Sequence, residues 1–374
     1  MNSADVDIRH MRRALELAER GLNSTDPNPR VGCVLVQRDE HGERIVGEGW
    51  TAPVGGPHAE VQALRSAGAA AAGATAYVSL EPCSHTGRTP PCARALIEAR
   101  VARVVYAAED PNPLVNGAGA AALRAAGIAV TGGVLASESR ALNPGFFQRM
   151  QTGLPWVRLK LAASLDGRTA LASGESQWIS GEAARADVQR WRARSSVILT
   201  GSGTALSDDP SLTVRLPETE RQPLRVLLDS ALQVRPEARL FEPPGQVMVF
   251  TASTDPARRE ALARRGVLIE NAASAEASGL ALEPILRRLG QLGANEVWVE
   301  AGARLGGALI AAALVDELII YVAPCLLGSD ARPLLQLPAP TRLAAATRLR
   351  FVDCTPIGDD LRLIARPTRA RKEA

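Results

Sequence analysis

Lysine is almost missing from this chain: among 374 residues it occurs only at Lys160 and Lys372, so nearly every cation is an arginine. Aromatic residues make up 3% of the sequence, which leaves the cores to Ala, Val and Leu and provides few rings on which bases could stack. The net charge of +3 is too small to propose a surface for nucleic acid or anionic lipid. No run of about 18 apolar residues occurs, and the N-terminus MNSADVDIRHMRRALELAERG lacks the apolar core of a secretion signal, so the expectation is a cytoplasmic protein with no membrane partner. The five cysteines (Cys33, Cys83, Cys92, Cys325, Cys354) are too sparse for a disulfide framework, which favours reactive or metal-binding thiols. All four histidines (His10, His41, His58, His85) lie in the first quarter, so chemistry in the remainder cannot use an imidazole. What is present, 46% hydrophobic and 22% charged residues over this length, describes a globular chain of two domains with different tasks.

Apolar spacing over 6–21 ends at Gly21 and predicts an amphipathic helix. Two β-rich runs follow, VGCVLVQ (31–37) and RIVGEGW (44–50), then a helix over 58–71, a strand at 75–80, a helix opened by Pro90-Pro91, a strand at 102–108, a helix near 117–126 and the strand IAVTGG. That order predicts a three-layer α/β domain. A linking helix near 136–149 leads to a seam at Gly153 and Pro155, which divides residues 1–150 from 151–368. Strands and helices alternate again beyond the seam, from a strand at 156–163 and a helix at 180–193 with Ser180 as N-cap to the strand ELIIYVAP, and predict a mostly parallel sheet covered on both faces.

Pro57-His58-Ala59-Glu60 opens a predicted helix, Glu81-Pro82-Cys83 follows a strand, and the chain returns at Pro90-Pro91-Cys92. One imidazole and two thiolates are a soft set for tetrahedral Zn²⁺, and they leave the fourth position to water. Cys92 stands at a helix start, where backbone N–H groups favour a thiolate. Glu60, two residues past His58, can reach that water without binding the metal and can carry its proton to a leaving amine. This is the H-x-E…P-C-x-x-C pattern of zinc nucleobase deaminases, with eight residues instead of two between the cysteines. The competing readings are buried structural thiols, or a closed structural zinc with His85 as fourth ligand.

PHAE together with EPCSHTGRTPPC resembles the deaminase domain of the RibD family of riboflavin biosynthesis, whose loop carries this longer insertion. The resemblance implies a cytidine-deaminase-like fold, zinc held by His58, Cys83 and Cys92, catalysis by Glu60, and substrate contacts from Asn28 and His85, with Arg88 a further candidate.

In the second half, KLAASLDGR (160–168) and SGESQWIS (173–180) resemble the reductase domain of the same family, which has the dihydrofolate-reductase fold. The likeness continues through ILTGSGTALSDDPSLTVR (198–215), WVEAGARLGGALI (298–310) and LVDELIIYVAPCLLGSDA (314–331). GSGTAL (201–206) begins like a dinucleotide fingerprint but lacks its last glycine, so it does not mark a Rossmann fold. The better phosphate cradle is Gly302-Ala303-Arg304-Leu305-Gly306-Gly307-Ala308, where a strand enters a helix, although such a turn can equally serve tight packing. The resemblance implies that Ala162, Trp178, Thr204, Asp208 and Ser230 line an NADPH site. It places Ser176, Arg192, Leu212, Arg215 and Glu300 against a sugar phosphate, where arginine forks match phosphate oxygens. Without histidine, a carboxylate, Lys160 or water must handle the proton that accompanies hydride transfer.

The expected enzyme is therefore bifunctional. It deaminates 2,5-diamino-6-ribosylamino-4(3H)-pyrimidinone 5′-phosphate and then reduces the ribosyl chain with NADPH, as a homo-oligomer by family resemblance. A nucleic-acid base editor and a binding protein with a structural zinc are the alternatives; low charge and few aromatics count against the first.

Overall fold

The computed structural model describes residues 3–40, 42–84, 91–113, 115–219, 221–274 and 279–368, and the chain separates into two compact units, Met1–Leu154 and Pro155–Ala374. In the first unit, α1 (Ser3–Glu19) precedes strands β1 (Gly32–Asp39) and β2 (Gly42–Trp50) and helix α2 (Ala59–Ala67). Then come β3 (Thr75–Leu80), α3 (Cys92–Glu98), β4 (Arg103–Ala108), α4 (Ala118–Ala125) and β5 (Ala129–Gly132). The sheet order is β2-β1-β3-β4-β5, with β1 antiparallel to both its neighbours and β3, β4 and β5 parallel.

Side chains alternate across β1, and this builds the layers. Cys33 and Leu35 face Ala59 and Ala63 of α2 and Leu96 of α3, while Val34 and Val36 face Met11, Ala14 and Leu17 of α1. The expected three-layer sandwich is thus formed, with helices on both faces of the sheet. The predicted linking helix is two, α5 (Ala136–Leu142) and α6 (Pro144–Thr152), because Pro144 cannot continue a helix and serves as the first residue of a new one.

The second unit runs β6 (Trp156–Ser164), β7 (Arg168–Ala170), α7 (Glu182–Arg194), β8 (Val197–Gly201), α8 (Ser202–Asp208), β9 (Leu224–Leu228), β10 (Val247–Thr251), α9 (Pro256–Ala263) and β11 (Leu268–Asn271). It continues with α10 (Leu282–Gln291), β12 (Glu296–Glu300), α11 (Ala303–Ala311), β13 (Glu317–Ala323), β14 (Arg332–Pro333), β15 (Leu349–Ile357) and β16 (Asp360–Pro367). Nine strands form one sheet in the order β11-β10-β9-β8-β12-β6-β13-β16-β15. The first seven in that order are mutually parallel, as expected, and the β15–β16 hairpin adds an antiparallel edge that the sequence reading lacks. The N-cap of α7 is Gly181 and not Ser180, and no side chain caps the helix; the Gly181 N–H itself donates to the Asp360 carboxylate of β16 at 2.7 Å, which places a negative charge at the helix N-terminus. No described helix is long and apolar enough to cross a membrane.

Candidate active sites

In the first unit, His58 is the N-cap of α2 and Glu60 sits in its first turn. The helix reaches that place because β2 presents Gly49 to it. A Cβ there would stand 2.4 Å from the Ala59 carbonyl oxygen and 2.6 Å from the Ala63 nitrogen, so only glycine permits the approach. Cys83 follows β3 and Cys92 opens α3. His58 Nδ1 lies 3.3 Å from Cys92 Sγ and 3.7 Å from Cys83 Sγ, and the three donor atoms all lie within 4.8 Å of one another. Ligands bonded to tetrahedral zinc at 2.0–2.3 Å stand about 3.5–3.8 Å apart, so this imidazole and two sulfurs fit the ion in chemistry and in spacing.

Backbone and charge prepare the same point. The Cys92 N–H donates to Cys83 Sγ at 3.3 Å and the Ala93 N–H to the Cys83 carbonyl at 3.1 Å, so the helix start serves Cys83 where the sequence reading assigned it to Cys92. Hydrogen bonding from Cys92 and His58 holds the Cys83 thiol down to about 4, and the same bond with burial pushes Cys92 well up: the two sulfurs share one proton until a cation offsets their repulsion. Glu60 is 4% exposed, and burial followed by the Cys83 charge raises its carboxyl to about 7.

Sequence reasoning passed over Glu81. Its carboxylate accepts the backbone N–H groups of Asp110 (3.3 Å), Gly117 (3.0 Å) and Ala120 (3.1 Å), which ties the loop before α4 and the start of that helix to the strand end that carries Cys83. Its position next to Pro82-Cys83 was the available signal. Asn28 is half-buried in the turn before β1, its N–H bonded to the Thr25 carbonyl at 2.8 Å. His85 and Arg88 lie outside the described residues.

In the second unit, the carboxyl ends of β6, β8 and β12 open into a cavity of about 740 Å³. Of the residues expected at the NADPH site, Ala162, Trp178, Thr204, Asp208 and Gly302 line it, and so do all five expected against the sugar phosphate in this unit, Ser176, Arg192, Leu212, Arg215 and Glu300. Ser230 is exposed after β9 and is not among the lining residues. Nor are Ala303, Arg304, Leu305, Gly306, Gly307 and Ala308. Gly306 and Gly307 are buried, and a Cβ on Gly307 would fall 1.9 Å from the Gln336 carbonyl oxygen, so close packing accounts for that glycine. The Gly302 N–H at the start of α11 donates to Thr204 Oγ1 at 3.1 Å.

Glu300 and Arg192 form the charged floor. Arg192 Nε and Nη2 donate to the two carboxylate oxygens at 2.6 and 2.8 Å, Nη1 to the Thr213 carbonyl at 3.0 Å, and Trp298 Nε1 to Glu300 at 2.8 Å. Burial would raise the Glu300 carboxyl, but Arg192 and Lys160 bring it down to about 2. Lys160 lines the same cavity, and burial depresses its ammonium pKa against the pull of Glu300.

Two family descriptions match the chain: the cytidine and deoxycytidylate deaminase zinc-binding region over residues 4–108, and the RibD C-terminal domain over residues 155–363. The chain is 50% identical over 367 residues to the riboflavin biosynthesis protein RibD of Escherichia coli, covering 95% of this chain and 98% of that one. It is 49% identical to the Haemophilus influenzae protein of the same name, with 96% and 97% covered. Among solved structures, Acinetobacter baumannii RibD superposes with a TM-score of 0.90 at 46% identity, covering 98% of this chain and 100% of that one. A Thermotoga maritima protein described as a diaminohydroxyphosphoribosylaminopyrimidine deaminase and 5-amino-6-(5-phosphoribosylamino)uracil reductase gives 0.85 at 33%, with the same coverage. A zinc-type deaminase unit and a nucleotide-dependent reductase unit on one chain define a bifunctional enzyme. The cytidine-deaminase-like and dihydrofolate-reductase-like halves expected from the motifs are both present. The chain belongs to the RibD family, the deaminase and reductase enzymes of riboflavin biosynthesis, which use zinc in the first domain and NADPH in the second.

Proposed function

We propose that residues 1–150 remove the 2-amino group of 2,5-diamino-6-ribosylamino-4(3H)-pyrimidinone 5′-phosphate as ammonia, and that residues 151–368 reduce the ribosyl chain of the product to ribityl, giving 5-amino-6-ribitylaminouracil 5′-phosphate. The observation that carries the first step is the His58, Cys83 and Cys92 donor cluster with a buried carboxylate, Glu60, in the first turn of the helix that His58 caps.

His58, Cys83 and Cys92 would hold the zinc, which when bound would supply a Lewis acid that makes water nucleophilic near neutral pH. Glu60 would accept a proton on its carboxylate from the attacking water and return it to the departing exocyclic nitrogen, a role suited to a carboxyl raised to about 7. Asn28 and His85 contact the substrate. In the second unit NADPH supplies the hydride, and the chain aligns the partners. Ala162, Trp178, Thr204, Asp208 and Gly302, at the N-terminus of α11, hold the cofactor. Ser176, Arg192, Leu212, Arg215 and Glu300 hold the sugar phosphate, and Lys160 Nζ supplies the proton.

The finer expectations belong to the same reading. A homo-oligomer is supported by the bare apolar edge of β15, where Leu349 is 41%, Phe351 65% and Val352 46% exposed. A cytoplasmic location is supported by the phosphorylated substrate and NADPH, metabolites of that compartment.

The test is an assay of ammonia release and NADPH oxidation with the Glu60→Gln variant. The variant is expected to keep its zinc, to lose deamination by a factor of about 10² to 10⁴, and to reduce already deaminated substrate at the ordinary rate. Loss of both activities in a folded, zinc-loaded variant would refute separate sites.

A further inference from the structure

The phosphate end of the reductase cavity has a shortage of positive charge that one unassigned arginine can make up. A phosphate monoester carries close to two negative charges near neutral pH. Arg192 cannot supply both countercharges, because its fork is occupied by the Glu300 carboxylate and the Thr213 carbonyl and the ion pair is neutral as a unit. Arg215 offers one: it lines the cavity, and among the described residues no carboxylate lies within ion-pair distance of it.

Arg239 lines the same cavity and likewise has no carboxylate within ion-pair distance among the described residues. Some exposed arginines elsewhere on this chain have such a partner, as in Arg264 with Glu260, Arg287 with Glu283 and Arg94 with Glu98, but those do not line the cavity. The Arg215 guanidinium feels burial first, then the positive charge of Arg192, the opposing Glu300 carboxylate and the positive charge of Arg239, so both other arginines lie within electrostatic reach of it.

The two unpaired arginines stand on fastened backbone. Arg239 opens a single turn of 3₁₀ helix, residues Arg239–Phe241, and its N–H donates to Asp209 Oδ1 at 2.9 Å. The fully buried Arg225 donates to the carbonyls of Ser211 (3.1 Å), Leu240 (2.7 Å) and Glu242 (2.8 Å), so one guanidinium ties the segment leading to Arg215 to the turn that carries Arg239. On the segment leading to Arg215, Leu212 is held at φ 51°, in the left-handed region that costs a branched side chain energy and persists only where neighbours impose it. Two cavity-lining cations whose guanidinium groups have no ion-pair partner among the described residues, on loops that cannot easily part, form a seat for a dianion.

We propose that Arg239 is a specificity-determining residue of the reductase step: together with Arg215 it grips the 5′-phosphate of the substrate and sets the preference for phosphorylated over dephosphorylated substrate. This rests on the reading that this end of the cavity takes the substrate phosphate.

The test uses full-length enzyme and steady-state reduction of the deaminated ribosylaminopyrimidine, with and without its 5′-phosphate, for wild type, Arg239→Ala, Arg239→Lys and Arg215→Ala. Arg239→Ala is expected to raise KM for the phosphorylated substrate about tenfold, the size of a lost charge-assisted contact. Its kcat should change less than twofold, and KM should stay unchanged for NADPH and for the dephosphorylated substrate. Arg239→Lys should recover part of the loss, and inorganic phosphate should inhibit Arg239→Ala about tenfold less well than wild type. An unaltered preference in Arg239→Ala while Arg215→Ala weakens phosphorylated substrate would overturn the role of Arg239 alone. An unaltered KM in Arg215→Ala would overturn the underlying placement of the phosphate, and a loss confined to NADPH would assign Arg239 to the cofactor.

Discussion

Arg192 and Glu300 meet as a two-pronged ion pair at 2.6 and 2.8 Å, closed on one side by the Trp298 indole N–H. A pair taken this far out of water contributes less as a whole than either partner costs when it is left alone. Glu300→Ala should therefore destabilise the second unit by about 3–5 kcal/mol, read as a lower unfolding midpoint of that unit, and a double change of Arg192→Met with Glu300→Leu should recover most of it without restoring reduction. The Glu300 pKa is depressed in the folded chain, so the contribution is intact above the ordinary carboxylate range and fades as pH falls toward about 2. A single variant as stable as wild type would contradict this.

Lys160 gives the reductase a pH signature. Burial favours its neutral amine, so its proton is lost at lower pH than that of an exposed lysine. If the ammonium donates the proton, kcat falls as pH rises through that depressed value, and Lys160→Met both lowers kcat by about 10²-fold or more and removes the alkaline limb. An alkaline limb that survives in the variant assigns the proton elsewhere.

Gly49 connects a strand to chemistry performed on a helix. Gly49→Ala must push α2 away from β2, and with it His58 and Glu60. Overpacking of this kind costs about 1–3 kcal/mol, and the expected outcome is weaker zinc retention and lost ammonia release with NADPH oxidation on deaminated substrate preserved. Normal metal content and deamination would show that the helix can slide freely.

The zinc triangle was legible in the sequence because its members stand in short contiguous motifs of uncommon residue types, His58 beside Glu60 and Cys83 after Pro82. Gly47 and Gly49 carried a weaker signal, two glycines on one face of a strand, whose meaning depends on what packs there. The β15–β16 hairpin was not legible: β15 is an edge strand with most of its side chains exposed and Pro356 within it, so no buried face repeats every second residue. Gly306 and Gly307 read as a phosphate cradle because sequence cannot reveal that the chain near Gln336 returns to press on them. Arg239 had no local pattern at all, since its neighbours Arg215 and Arg192 are distant in the chain.

The Glu81 carboxylate moors three amides from a stretch about thirty to forty residues downstream, immediately next to a sulfur ligand. Fraying of α4 and slackening of the metal-gripping strand end are in consequence one event, and amide protons at Asp110, Gly117 and Ala120 should exchange with solvent in concert. Whatever protects the ion from being shed also keeps that distant helix wound.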